Sequence, residues 1–143
     1  MRASSFVCWD QMQHGGSIVI GKHGWQHVAF HVSPEGKTLA AKVSVAAGPW
    51  SGACDTTFLR GELSDFAHEI DKLHETLHGR AVLAQKTTPN IDMTLSGDGK
   101  GHITAVGSVR ADFAHANYIA FELTLEPAEL LTIAEALRAA ERL

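Results

Sequence analysis

Apolar residues recur along this chain with two different periods. Val28, Phe30 and Val32 alternate with His27, Ala29 and His31, and Leu39, Ala41, Val43 and Val45 alternate after them. A period of two marks strands with one buried face. Ser33-Pro34-Glu35-Gly36 carries turn chemistry between the two runs, so residues from about 26 to 46 are expected to form a hairpin. Ile18-Val19-Ile20 precedes it as a short buried strand, Gly48-Pro49 follows as a break, and Asp55 to Leu59 is expected as another short strand. The period then changes. Leu63, Phe66, Ile70, Leu73 and Leu77 are spaced 3, 4, 3 and 4, which predicts an amphipathic helix over about 62–78 with Gly79 as its left-handed stop.

Strand signals return at Ala81-Val82-Leu83 and at Ile91, Met93 and Leu95. The turn-rich segment Ser96 to Gly101 leads into a strand over 102–109, making a second hairpin. Ile119, Phe121, Leu123 and Leu125 form the clearest alternation in the chain. Pro127 suits the first position of a closing helix, about 127–141, lined by Leu130, Ile133, Ala134 and Leu137. Strands, helix, strands, helix is the α+β pattern. Tight turns between neighbouring strands predict a mostly antiparallel, curved sheet with both helices packed on it. No linker, repeat or low-complexity tract divides residues 1–143, so a single domain is expected.

Composition narrows the function classes. Apolar residues make up 45% and charged residues 20% of 143, as in ordinary globular domains large enough to bury a core without staples. A formal net charge of −4 argues against nucleic-acid binding, which needs a concentrated basic face, and suits a basic protein partner. No run is long and apolar enough to span a bilayer, and Met1 to Asp10 lacks the pattern of a signal peptide, so no membrane role and a cytoplasmic location are expected. Cys8 and Cys54 are too few for a disulfide framework and read as reduced thiols.

Nine histidines invite a metal test. His23, His27 and His31 recur every four residues, but that spacing in a strand separates neighbours by about 13 Å, too far to clasp one ion. Asp71, His74 and His78 fall at helical spacings along one helix edge and would need a further ligand from elsewhere. An ion-paired helix edge is the simpler expectation. Gly97-Asp98-Gly99-Lys100-Gly101 has the glycines of a phosphate loop, yet a strand follows it rather than a helix. No G-x-S-x-G elbow is present. Trp9, Trp25 and Trp50 are scattered and read as core or rim residues. These readings predict no catalytic residue, no cofactor and no metal. The alternative is a small metal- or ligand-binding, enzyme-like domain using His74, His78 or His102.

Partner binding has better candidates. The outer side of the first helix carries Glu62, Asp65, Glu69, Asp71 and Glu75 against one lysine, Lys72. Asp65, His68, Glu69, Lys72 and Glu75 form the candidate docking face. Phe113 lies in the apolar loop Ala111 to Asn117, where it either tucks under the sheet edge or anchors a partner.

Several segments carry a family pattern. Glu62-Leu63-Ser64-Asp65-Phe66 opens a helix that Leu73-His74-Glu75-Thr76-Leu77-His78-Gly79 closes, and Ala81-Val82-Leu83 follows. Met93-Thr94-Leu95 leads into Gly99-Lys100-Gly101-His102-Ile103, and Phe121-Glu122-Leu123-Thr124-Leu125-Glu126-Pro127 leads into a leucine-rich helix. Over residues 50–143 this order resembles the WapI-type immunity family. Its motifs are patterns of apolar residues and glycines, more specific for fold than for function. The resemblance implies a small bacterial, non-enzymatic protein that neutralises a toxin by direct binding. In the founding case that toxin is contact-delivered and cuts transfer RNA, so a nuclease-type toxin is the implied partner. At the last strand-to-helix junction relatives carry an Asp-Gln-Thr run where this chain has Glu126-Pro127-Ala128, which puts a shared partner contact there in doubt.

Overall fold

The alternating segments fold as two antiparallel four-stranded meanders, each followed by one helix. The structure is a computed structural model and describes residues 16–22, 26–86, 89–111 and 117–143. The first meander contains β1 (Gly16–Lys22), β2 (Gln26–Glu35), β3 (Thr38–Ala47) and β4 (Trp50–Leu59), and α1 (Glu62–Thr76) follows. The second contains β5 (His78–Leu83), β6 (Ile91–Asp98), β7 (Ile103–Arg110) and β8 (Tyr118–Leu125), and α2 (Pro127–Glu141) closes the chain. The α+β class and the antiparallel pairing hold, and the strands divide into two sheets.

The hairpin over 26–46 is present, with its turn shifted by two residues. Pro34 pairs with Leu39 and Glu35 with Thr38, so Gly36 and Lys37 make the loop, with Gly36 at φ 62. A two-residue hairpin loop calls for positive φ at its first central position, which glycine adopts without strain. β4 is longer than the expected Asp55–Leu59 strand. It begins at Trp50, paired with Ala47, because Gly48-Pro49 forms a tight turn rather than a long break.

The first helix ends earlier than the leucine spacing predicts. Its last residue is Thr76, and Leu77 itself takes the left-handed cap at φ 56, donating its N–H to the Leu73 carbonyl at 2.6 Å. Gly79 is not the stop. It lies in β5, paired with Gly97. Leu77 holds a conformation costing roughly 1–2 kcal/mol for a side-chain-bearing residue. Its carbonyl accepts the Gly99 N–H at 2.6 Å, and its side chain packs against the core.

One apolar cluster joins both sheets and both helices. Leu63, Phe66, Ile70 and Leu73 of α1 and Leu130, Ile133, Ala134 and Leu137 of α2 are buried in it, as the stripes predict. The two helices pack on each other, and each also packs on the first strand of the other meander: α1 on β5, α2 on β1. β8 crosses the first sheet. Ile119 sits over Gly52 of β4, and Leu123 lies beside Gly21 of β1, at the opposite edge. Four residues of strand span about 13 Å, close to the roughly 14 Å across three strand spacings, so β8 runs across the strands of the first sheet. A Cβ at Gly52 would stand 2.6 Å from Ile119 Cδ1, the tip of a side chain that would have to turn aside, so glycine lets Ile119 lie closest here.

Candidate partner-binding interface

The apolar stripe of α1 faces inward, which forces its other side into solvent. Asp65, His68, Glu69, Lys72 and Glu75 are all exposed there, along one side of the helix. Glu69 is also tied down. Its Oε1 accepts the backbone N–H of Val82 at 2.9 Å, so this carboxylate closes part of the open edge of β5. Phe113 lies outside the described residues, as do Cys8, Trp9, His23 and Trp25. Trp50 is 72% exposed at the start of β4, a rim position.

Two acids expected on the outer surface of the helix have other places. Glu62 is only 7% exposed. Its carboxylate accepts the N–H of Leu59 at 2.7 Å and of Lys86 at 2.8 Å, joining the end of β4 to the segment after β5. Asp71 is half-buried and paired with Arg138 of α2, which locks the two helices together. The exposed acids on this side of the helix are therefore Asp65, Glu69 and Glu75, with His68 and Lys72 among them.

The histidine alternative loses its geometry. His78 falls in β5, beyond the helix end, so Asp71, His74 and His78 do not share a helix edge. His102 Nδ1 is 2.7 Å from Asp98 Oδ2 on the exposed second hairpin. Asp98 Oδ1 also accepts the N–H groups of Lys100 and His102, at 2.7 and 3.2 Å. The Lys100 N–H, followed by the His102 side chain, lowers the Asp98 carboxyl to about 2. This carboxylate is a turn clamp. Among the described residues no group of three or more His, Cys, Asp or Glu side chains could hold a metal ion.

A cleft of about 350 Å³ lies between β4 and the β7–β8 end, lined by Gly52, Ala53, Cys54, Val109, Ala111, Asn117, Tyr118 and Ile119. Its one thiol, Cys54, is pushed up by burial and by the neighbouring Asp55, which keeps it protonated and a poor nucleophile. The Arg110 guanidinium lies 4.8 Å from the centre of the Tyr118 ring at this end.

Between the two sheets stands a polar clamp that the sequence did not announce. Gln85 donates from Nε2 to Thr56 Oγ1 at 2.8 Å and to the Thr57 carbonyl at 3.1 Å, while its Oε1 accepts the Ile91 N–H at 3.0 Å. Thr56 Oγ1 donates to Asn90 Oδ1 at 2.8 Å, and Asn90 Nδ2 donates to the Arg110 carbonyl at 3.1 Å. The clamp joins β4 of the first sheet to β6 and β7 of the second. Ordinary-looking Thr, Gln and Asn residues give no sequence signal of such a network.

A family model described as the Immunity protein WapI-like family matches residues 13–142. No curated protein matches the chain. Among the described residues no helix is long and apolar enough to cross a membrane.

Proposed function

The chain belongs to the WapI-like immunity family, and from that premise we propose that it is a non-enzymatic antidote that neutralises a nuclease-type toxin by binding it directly. The observation that carries this reading is the rigid acidic side of α1. Asp65, Glu69 and Glu75 stand on a helix fixed by a fully buried stripe and by the Asp71–Arg138 pair. A toxin that acts on RNA attracts phosphates with a basic surface. Carboxylates presented at phosphate-like positions compete for that surface and steer the encounter. The net charge of −4 acts in the same direction.

The antidote reading predicts a toxin gene beside this one, and the experiment uses the toxin domain it encodes, with its catalytic residue disabled. A stable one-to-one complex with the full chain, and restored growth when the active domain is co-expressed, are the expected results. Absence of both contradicts the reading. Glu69 is a poor choice for charge reversal, because Glu69→Lys also removes the bond to Val82. Asp65→Lys with Glu75→Lys tests the charge alone.

A further inference from the structure

We infer that the toxin-binding surface extends from α1 onto the outer face of the second sheet and has its apolar centre at Val82 and Val106. The inference rests on the antidote reading and assigns the face that the partner covers. Strand register places Val82, Thr94, Val106 and Glu122 in one row across β5, β6, β7 and β8. Buried neighbours at Ala81, Leu83, Met93, Leu95, Ala105 and Leu123 fix the opposite face as the inner one, so this row points outward. Val82 and Val106 are 44% and 46% exposed. Glu69 closes one end of the row through its bond to the Val82 N–H, and Glu122 closes the other.

Val82, Thr94 and Val106 thus form a centre with a carboxylate at each end of the row, Glu69 and Glu122, over about 14 Å, and Arg80 stands beside Val82 on the same face. Protein interfaces place apolar residues at the centre and polar ones at the rim. The complementary occupant is a protein surface with apolar side chains flanked by Lys or Arg, which matches a basic toxin domain. The bond between Glu69 and Val82 makes this face continuous with the acidic side of α1. The first sheet's outer face differs. Its corresponding rows read Val19, Ala29, Ser44, Ala53 and Ser17, His31, Lys42, Asp55, with no two exposed valines in one row, whereas on the second sheet the rows Arg80, Ser96, Thr104, Thr124 and Asp92, Ser108, Ala120 flank the valines with polar and small residues.

The test measures affinity of the full chain for the catalytically disabled toxin domain from the neighbouring reading frame. Val82→Lys with Val106→Lys is expected to weaken binding by roughly 30-fold or more, the loss typical of a central contact. Val19→Lys on the first sheet should leave it within about twofold, as a site outside the contact. Circular dichroism checks folding. If the lysine pair does not fold, Val82→Thr with Val106→Thr keeps the shape and is expected to lose about tenfold. Binding by wild type with equal affinity in the folded double variant overturns this surface and leaves the antidote reading in place. No binding by wild type overturns both.

Discussion

The carboxylate of Glu141, in the last turn of α2, caps the first turn of α1: Oε1 accepts the Ser64 N–H at 3.1 Å and Oε2 the Gly61 N–H at 2.9 Å. Gly61 has no side chain to cap its own helix, so the Ser64 N–H, one of the free donors in the first turn of α1, is satisfied by a residue 77 positions further along the chain. A negative charge at this end also suits the helix dipole. Glu141→Ala is expected to lower stability by about 1–2 kcal/mol, as loss of a cap does. Urea unfolding at pH 7 measures it. A change near zero would show that solvent satisfies these groups equally well.

Glu62 is the buried counterpart. Both of its oxygens accept backbone N–H groups, at Leu59 and Lys86. Glu62→Ala leaves two partly buried donors without an acceptor and should cost about 3 kcal/mol. Glu62→Gln keeps one acceptor oxygen and should cost less. The order Ala worse than Gln worse than wild type, read from denaturation midpoints, checks the assignment. Equal midpoints for the two variants would contradict it.

Asp98 sets a pH dependence in the second hairpin. Its folded carboxyl is lowered to about 2, first by the Lys100 N–H and then by the His102 side chain, against an ordinary value of 3.8. A lowered folded pKa contributes stability above the unfolded value and loses it as pH falls through the folded one. The turn should therefore hold at pH 4 and above and loosen progressively between about 4 and 2. Carbon-detected NMR titration of the Asp98 carboxyl should give a midpoint near 2, and Asp98→Asn should remove the turn's response over this range. A midpoint near 3.8 would show that the clamp does not form in solution.

Much of the fold was legible because its period signals are local. The α1 stripe, the alternation of β2, β3 and β8, and Pro127 at the start of α2 each follow from side-chain geometry within one element. Ends were harder where tertiary contacts override local preference. Gly79 is the better intrinsic helix stop, yet β5 begins at His78 and forces Leu77 into the left-handed position. The division into two sheets depends on β8 crossing over Gly52 and Gly21, a contact between residues far apart in the chain. The exposed helix residues were legible because an inward stripe dictates its opposite side. The burial of Glu62 and the pairing of Asp71 were not, since their partners lie on other elements. Val82 was hidden inside an apolar triplet, and only the pairing of β5 with β6 reveals that it faces outward.

The central claim is that an acidic face of this chain captures a basic toxin domain, and association kinetics test it most directly. Rates for the disabled toxin domain should be measured at low and high ionic strength, for wild type and for Asp65→Lys with Glu75→Lys. The account predicts fast association at low salt, a marked slowing as salt rises, and a slower, less salt-sensitive rate for the reversed protein. Identical rates and identical salt dependence for the two proteins would contradict it.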